Sequence, residues 1–266
     1  MKKLNLFIGL LIGFMILSCS DDNDNPQQEP EETVKKLISE SITTSHGNFE
    51  RTFVYNSENK VTDINSVYTG DDQWTADLTN TTFIYEDNKI TSATTHEDGE
   101  LYTTSLFNYS NDQLIELIIK DANGIEGSKM EFNYNSQGKV NGFNYYVDQQ
   151  LQHVMSFEYD AVGNLTNAED GIDNYDFQFD QNTSAFKYFS YAEKIIFAYG
   201  GIYENISKNN MTSQTITYNA NSTSEVIFYY NTTIDYDNEN YPLNKTTIQT
   251  YNDTDSTLRT IVYEYE

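Results

Sequence analysis

Aromatic and polar residues alternate along short segments of this chain, and each alternating segment ends in the same kind of turn. In residues 130–140, MEFNYNSQGKV, Phe132 and Tyr134 lie two positions apart and polar residues flank them. On a β-strand this spacing places both rings on one face and the polar side chains on the other. Residues 135–138 supply the short polar side chains and the glycine that turns favour. The segment therefore predicts a strand, a tight turn and a returning strand.

The same phrase recurs along most of the chain. Copies occupy residues 53–61, 83–90, 107–114, 157–165 and 177–186, and looser copies occupy 216–226 and 234–243. The anchoring tyrosines are spaced 30, 24, 25 and 25 residues apart, at Tyr55, Tyr85, Tyr109, Tyr134 and Tyr159. That period has room for two strands and two turns. We predict an all-β domain over residues 37–266, an antiparallel meander of repeated hairpins that forms a strongly curled sheet or a barrel.

Two segments allow finer predictions. Residues 114–120 carry apolar side chains on both faces of a strand, with Ile115, Leu117 and Ile119 sharing one face. We expect this strand to be buried on both sides. Residues 123–124, Asn-Gly, suit the positive φ angles of a type I′ hairpin turn.

The regular pattern lapses over about residues 182–210, where we predict an irregular or short helical insertion. Residues 188–199 carry apolar side chains at helical intervals, and the glycines that follow could end such a helix. Its packed stripe would be Phe189, Ala192, Ile196 and Tyr199. Because β-branched and aromatic residues also suit a strand, helix and strand both stay open. The break holds either a grafted binding site or a plug over an open edge or end of the sheet, and we favour the plug.

The N-terminus has the pattern of an export signal. Basic residues are followed by an apolar run, Leu4–Leu17, which is shorter than the roughly 20 residues of a membrane-spanning helix. The run ends in Leu-Ser-Cys, which resembles the lipobox of bacterial lipoproteins, where a small residue precedes the cysteine that is lipidated. The resemblance implies a signal peptide over residues 1–18 and lipidation of Cys19, which would hold the protein on a membrane. Cys19 is the only cysteine, so no disulfide framework is expected.

Residues 20–22, Ser-Asp-Asp, resemble the export tag that carries Bacteroidota-type lipoproteins to the outer face of the outer membrane. Residues 19–36 as a whole are polar, acidic and interrupted by proline, which is typical of a flexible tether. The acidic cluster of Asp21, Asp22 and Asp24 could hold calcium, but we favour a solvated linker.

The charge balance limits the partners. The chain has 41 acidic and 15 basic residues and a formal net charge of −26. Such a field repels phosphate backbones, so nucleic acid is not expected as a partner.

Several turns resemble the tyrosine–aspartate (YD) repeats of the Rhs family. The residues that carry the likeness are Tyr134-Asn135 with Gly138-Lys139, Tyr159-Asp160 with Gly163-Asn164, and Tyr236-Asp237. Together with Cys19, they make the chain resemble Bacteroidota lipoproteins of unknown function that are built from such hairpins and described as porin-like. The resemblance implies a curled antiparallel meander and supplies no catalytic residues.

Motifs for catalysis, metal binding or cofactors are missing from the sequence, so no such residues are predicted. The histidines His46, His96 and His153 fall in separate repeats without metal-ligand spacing. Residues 235–239 imitate the start of an EF-hand loop but lack its glycine and its terminal glutamate. The single tryptophan, Trp74, suits either a sugar-stacking platform or a core or rim position, and we favour the latter.

The sequence of the strands does not predict a lipid-facing wall, since Lys129 and Glu131 share one face of their strand. A lysine at the bilayer midplane costs about 2–4 kcal/mol on such a wall. We therefore predict a non-enzymatic lipoprotein of the outer membrane surface that binds a glycan or a partner protein. One alternative is a carbohydrate-active enzyme with its site in the 182–210 break, and another is a barrel that binds an apolar ligand inside.

Overall fold

The computed structural model describes residues 35–70, 78–196, 202–220, 225–251 and 254–266. The chain divides into two compact units, Met1–Val34 and Lys35–Glu266, and the described residues all belong to the second. The predicted signal peptide, Cys19, most of the predicted tether and Trp74 lie outside the described residues. Among those that are described, no helix combines the length and the apolar character needed to cross a membrane.

Sixteen strands and two short helices make up the described part of the chain. The strands are β1 Leu37–Thr44, β2 Gly47–Tyr55, β3 Val61–Gly70, β4 Leu78–Glu86, β5 Lys89–Glu97, β6 Glu100–Ser110, β7 Gln113–Asp121, β8 Glu126–Tyr134, β9 Val140–Val147, β10 Gln150–Tyr159, β11 Leu165–Glu169, β12 Asn174–Phe179, β13 Met211–Tyr218, β14 Val226–Tyr236, β15 Pro242–Tyr251 and β16 Thr254–Tyr265. The helices, α1 Tyr191–Ile196 and α2 Ile202–Ile206, lie between β12 and β13.

The strands form one closed barrel. Each pairs antiparallel with its neighbours in sequence, and β1 pairs with β16, in register from Ser39 with Glu264 to Thr44 with Arg259. The predicted all-β meander of hairpins is confirmed, and of the two forms left open, curled sheet or barrel, the sheet adopts the barrel. Closure leaves no strand edge exposed for pairing with another chain.

The repeated phrase has a structural role at each of its positions. Its phenylalanine points into the barrel and is at most 6% exposed in Phe53, Phe83, Phe107, Phe132, Phe157 and Phe177. The aliphatic residue that follows the turn is at most 5% exposed in Val61, Ile90, Leu114, Val140 and Leu165. Burying a large apolar side chain stabilises the fold by roughly 1.5–3 kcal/mol, so each hairpin brings its own share of one common core.

The tyrosine of the phrase connects one hairpin to the next. The Tyr85 hydroxyl donates a hydrogen bond to the carbonyl oxygen of Val61 at 2.7 Å, and the Tyr134 hydroxyl donates to that of Leu114 at 2.7 Å. The residue after the tyrosine closes its own turn: Asn135 Oδ1 accepts hydrogen bonds from the backbone N–H groups of Gln137 and Lys139. Where an Asx residue follows the tyrosine, its side chain thus has a local role in closing the turn.

The prediction that residues 114–120 are buried on both sides is wrong. Pairing between β6 and β7 shifts register between Asn108 and Tyr109, as a β-bulge does. The extra residue turns both Leu114 and Leu117 toward the core, at 4% and 2% exposure, and leaves Ile115 40% exposed. Strict alternation fails here because the bulge interrupts the two-residue period.

The type I′ turn predicted at residues 123–124 is also wrong. Gly124 has a φ of 79° and Asn123 is not among the positive-φ residues, whereas a type I′ turn needs positive φ at both positions. The Gly124 N–H donates to the Asp121 carbonyl and the Asp121 N–H donates to the Ile125 carbonyl, both at 2.9 Å. This is the three-residue pattern of a type I turn with a glycine bulge. Paired positive φ angles occur instead at Asp87-Asn88 and Asn111-Asp112.

Residues 180–196 and 202–210, here called the plug, pack into one end of the barrel. This end, the repeat end, carries the turns of the repeated phrase. Within the insertion predicted at 182–210, the helical alternative holds for α1. Phe189 and Ala192 are buried as predicted, but Ile195 rather than Ile196 completes the stripe, and Tyr199 lies outside the described residues. Edge-to-face contacts seat the plug against the wall, such as Phe189 on Phe53 with ring centroids 5.5 Å apart.

The barrel interior changes character along its length. On β10, Phe157 and Met155 are each 6% exposed, whereas the His153 side chain, two residues further from the repeat end, is 51% exposed. His153 stacks on Tyr145 with ring centroids 6.3 Å apart. On this strand the inward side chains are therefore buried and apolar toward the repeat end and exposed toward the opposite end.

Candidate functional site

A row of side chains links the turns at the repeat end. In three hairpins a lysine precedes the buried aliphatic position and lies over the tyrosine ring of the next hairpin. Ammonium nitrogens sit 5.4–5.5 Å from the ring centroids in the pairs Lys60 with Tyr85, Lys89 with Tyr109 and Lys139 with Tyr159. Contacts of this kind are worth about 0.5–1 kcal/mol at exposed sites.

The first two lysines of the row also reach a side chain in the following turn. Lys60 Nζ donates to Asn88 Oδ1 at 2.5 Å, and Lys89 Nζ donates to Asp112 Oδ1 at 2.5 Å. The Lys89 hydrogen bond lowers the pKa of the Asp112 carboxyl. In these two hairpins the turn-to-turn contact is complete.

In the fourth and fifth hairpins, a glycine stands at the position whose side chain would accept this hydrogen bond. The positions that correspond to Asn88 and Asp112 are Gly138 and Gly163. Gln113 Nε2 lies 3.4 Å from where a Cβ of Gly138 would be, and Lys139 Nζ lies 3.2 Å from the equivalent point at Gly163. Neither Gln113 nor Lys139 makes a side-chain hydrogen bond or ion pair with the part of the chain that the structure describes.

A pocket of about 420 Å³ opens where these two side chains are missing. This tyrosine pocket lies between the turns of the third, fourth and fifth hairpins and the plug. Its lining includes Tyr109, Tyr134 and Tyr159 from the strands, Gln113 and Lys139 from the turns, and Ser190, Tyr191 and Ile206 from the plug. The volume falls in the range of about 300–1,000 Å³ that is usual for small-molecule sites.

Tyr191 lines the pocket and carries an unsatisfied hydroxyl. The hydroxyl oxygen is buried and has no hydrogen-bond partner among the described residues. Burial raises the pKa of Tyr191 well above its usual value, and the nearby Tyr159 and Tyr134 add to this effect, so the group stays a neutral donor and acceptor. Leaving a buried polar group unpaired costs about 1–3 kcal/mol, and such groups in native proteins are usually satisfied by water or a ligand.

Two further tyrosines supply free hydroxyls. The Tyr134 hydroxyl is occupied by the Leu114 carbonyl, but those of Tyr109 and Tyr159 make no hydrogen bond to other described residues. Burial raises the pKa of Tyr109 to about 12, with smaller contributions from Tyr134 and Glu193. The pocket therefore offers several neutral hydroxyls, one amide and one ammonium group.

A capping box holds Tyr191 in place. The Glu193 N–H donates to Ser190 Oγ at 3.3 Å, and the Ser190 N–H donates to Glu193 Oε2 at 2.5 Å. Glu193 Oε1 also lies 2.9 Å from the Tyr85 hydroxyl, whose single proton is shared between this carboxylate and the Val61 carbonyl. The S-x-x-E signature of this cap is visible in the sequence and marks the start of α1, although our sequence interpretation did not use it.

The acidic side chains of the plug are all engaged in structural contacts. Asp180 accepts hydrogen bonds from the Tyr236 hydroxyl and from backbone N–H groups of the plug. Glu204 contacts Lys245 and lies 3.1 Å from Arg259. Glu193 is held by the cap. An enzymatic site in the 182–210 break would need two carboxylates across a cleft, and these three are committed elsewhere.

The candidate metal ligands from the sequence are dispersed. His153 Nδ1 lies 3.3 Å from Asp170, while His46 and His96 occupy a turn and strand β5. In the EF-hand-like segment, Asp237 Oδ1 accepts backbone N–H groups of its own turn, and Lys35 contacts its other oxygen at 2.6 Å. Over the described ranges, no three His, Cys, Asp or Glu side chains come together in a group that could hold a metal ion.

Comparisons with known proteins bear on the fold. No protein-family profile and no curated protein sequence matches the chain. Among solved structures, a porin-like protein from Bacteroides uniformis ATCC 8492 aligns with a TM-score of 0.58 at 15% identity, over 86% of this chain and 96% of that one. A porin-like protein from Bacteroides vulgatus ATCC 8482 aligns with a TM-score of 0.43 at 13% identity, over 88% of this chain and 99% of that one. The first of these alignments shows that the resemblance to porin-like proteins of Bacteroidota holds at the level of the fold.

Proposed function

We propose that this protein is a non-enzymatic binding module of the outer membrane surface, anchored through lipid on Cys19, and that it binds a glycan in the tyrosine pocket. The observation that carries the proposal is the buried, unpartnered Tyr191 hydroxyl at a pocket that also holds the free hydroxyls of Tyr109 and Tyr159. Sugars carry many hydroxyl groups, each of which donates and accepts, together with apolar C–H faces that pack on aromatic rings. Such a ligand satisfies donors of this kind without any chemical reaction.

The outer wall supports attachment by lipid rather than insertion into the bilayer. On β8, Lys129 and Glu131 face outward and pair at 2.7 Å, and between β4 and β3 Thr82 donates to Asp63 at 2.8 Å. Charged groups on a lipid-facing wall would cost several kcal/mol. The plug and the buried phenylalanines of the repeated phrase also occupy the repeat end. Their presence argues against a water-filled pore and against an apolar ligand at that end.

Tyr191→Phe tests the site. We expect the variant to bind oligosaccharides about tenfold more weakly, because it removes a hydrogen bond in a desolvated position. We expect its free energy of unfolding to be unchanged or slightly higher, because the buried hydroxyl has no partner in the free protein. Isothermal titration with a panel of neutral and acidic oligosaccharides, together with urea unfolding, measures both quantities.

Tyr146→Phe is the matched control, since its hydroxyl donates to Glu131 at 2.9 Å on the outer wall, away from the pocket. This variant should bind the panel as the parent does. If no member of the panel bound, or if Tyr191→Phe bound as tightly as the parent, glycan binding at the tyrosine pocket would be refuted.

Cys19→Ala tests the anchor. The lipidated protein should sediment with outer membranes, since two or three acyl chains bind a bilayer firmly at about 0.8 kcal/mol per buried CH₂. The variant cannot be lipidated at this position and should appear in the soluble fraction. Fractionation followed by immunoblotting measures the distribution, and an unchanged membrane fraction would contradict the lipoprotein assignment.

A further inference from the structure

We infer that the ligand of the tyrosine pocket carries a carboxylate, which pairs with Lys139, so that the glycan is an acidic one. This inference rests on the proposed function and narrows its ligand class. Lys139 differs from the equivalent lysines of the other hairpins, which have an acceptor for the ammonium group, and this difference supports the inference.

The protein contains its own template for the missing contact. Lys89, at the same position of its hairpin, lies over a tyrosine ring and pairs with the Asp112 carboxylate at 2.5 Å. Lys60 lies over a ring in the same way and pairs with the Glu58 carboxylate at 2.8 Å. In both hairpins an oxygen acceptor completes the coordination of the ammonium group.

Lys139 keeps the ring contact and lacks the acceptor. Its ammonium lies 5.4 Å from the centroid of Tyr159, and Gly163 of the fifth hairpin stands where the third hairpin has Asp112. The glycine removes the carboxylate and at the same time leaves open space beside the ammonium. Because Lys139 is half-buried, part of its water shell is already lost, which strengthens pairing with an anion that enters.

The strong negative charge of the whole chain does not rule out such a ligand. At physiological ionic strength charges are screened over about 8 Å, so the groups at the pocket dominate. The Asp112 carboxylate on the pocket wall is paired with Lys89, and the nearby Glu193 carboxylate accepts two hydrogen bonds. Lys139 is the lysine among the lining residues, and it has no partner within the described chain.

The remaining donors suit the rest of a uronic acid unit. A uronate carries its carboxylate on the same ring as vicinal hydroxyls. With the carboxylate at Lys139, those hydroxyls can bond the Tyr191 hydroxyl and the Gln113 amide, which line the same pocket. One ligand thus satisfies the unpartnered ammonium, amide and buried hydroxyl together.

The test compares ligands that differ only in charge. Oligomers of galacturonate, glucuronate and mannuronate are titrated into the full chain beside their methyl esters, which keep the sugar ring and lose the carboxylate charge. We expect at least one acid to bind tenfold or more tightly than its ester. We expect this preference to weaken between 0.05 and 0.5 M salt, as for any pairing of charges.

Two matched variants assign the effect to Lys139. Lys139→Met keeps the apolar stem over Tyr159 and should reduce affinity for the acid about tenfold or more while leaving affinity for the ester unchanged. Lys60→Met makes the same change in a hairpin whose lysine already has its acceptors, and should alter neither affinity.

The outcomes separate the inference from the proposed function. Acids and esters that bind equally, with Tyr191→Phe still weakening both, would overturn the carboxylate inference and leave glycan binding standing. An acid preference that survives in Lys139→Met would also overturn it. Failure of every oligosaccharide to bind would overturn both proposals.

Discussion

Glu204→Gln is expected to lower the free energy of unfolding at pH 7 by about 3–5 kcal/mol, the usual cost of removing one partner from a buried ion pair. The carboxylate reaches from α2 to two cations of the barrel wall, Lys245 and Arg259. The Lys245 side chain is 3% exposed and the Arg259 side chain 16% exposed. Glutamine keeps the shape of the side chain but removes the carboxylate that contacts both cations, and it leaves Asp180 and Glu40 as the acidic groups that act on Lys245.

The loss should depend on pH. Burial lowers the pKa of Lys245 from 10.5 to about 7, and Arg259 adds to this effect, whereas the charges of Asp180 and Glu40 oppose it. Between about pH 7 and 10.5 the unfolded chain therefore binds more protons than the folded one, and the unfolding free energy of the parent rises with pH across this window. Removing the Glu204 carboxylate should lower the pKa of Lys245 further, so the corresponding window of the variant extends below pH 7. The deficit of the variant relative to the parent should therefore be larger at pH 6 than at pH 9.

Urea unfolding at pH 6, 7 and 9, followed by circular dichroism, measures both effects. Glu58→Gln is the control, because its side chain is 67% exposed and its ion pair with Lys60 lies on the surface. Solvent-exposed ion pairs contribute little to stability, so the control should unfold almost as the parent does. A Glu204→Gln loss below 1 kcal/mol would show that the plug is not fastened by these charges.

Phe157→Ala is expected to cost about 3–5 kcal/mol, as is typical of a buried phenylalanine. Phe157 is 6% exposed and meets two different parts of the fold. Its ring centroid lies 5.7 Å from that of Phe143 on β9 and 6.1 Å from that of Tyr203 on the plug. The variant loses wall-to-wall and wall-to-plug packing at once.

The outward face of the same strand supplies the control. Val154 on β10 is 51% exposed, so Val154→Ala should change the unfolding free energy by about 0.5 kcal/mol or less. Equal losses in the two variants, measured by urea unfolding, would show that the repeat does not place its phenylalanines in the interior.

Much of the fold could be predicted because each hairpin is specified locally. The alternation around Phe132 and Tyr134 sets two strand faces, and Asn135 closes the turn through its own backbone, so neighbouring residues contain the information. Closure of the barrel depends on β1 pairing with β16, whose partners are more than 200 positions apart in the sequence. No local pattern reports such a contact.

Exceptions to the pattern arise where the position of a side chain depends on contacts with another strand or with the plug. The bulge that exposes Ile115 is set by the pairing of β6 with β7, and nothing within residues 114–120 indicates it. The plug was located from its irregular sequence, but the contact of Glu204 with Lys245 and Arg259 required the closed barrel.

The tyrosine pocket was not predicted, although its cause lies in the sequence. Gly138 and Gly163 both lie in turns of the repeated phrase and carry no side chain. Gln113 and Lys139 therefore lack the kind of partner that Asn88 and Asp112 provide in other hairpins. Recognising this requires knowing that each lysine reaches into the next turn. The burial of the Tyr191 hydroxyl depends on the seating of the plug, which only the three-dimensional structure reveals.

Hydrogen–deuterium exchange of the full chain, with and without a saturating uronate oligomer that binds in the titrations, tests the central claim most directly. Binding in the tyrosine pocket should slow exchange in the turns that border it, residues 111–113, 137–140 and 162–165, and at residues 190–192 of the plug. The turns of the opposite end, residues 148–149 and 170–173, should exchange as in the free protein. Slowed exchange confined to the opposite end, or no change at the pocket turns, would contradict the account.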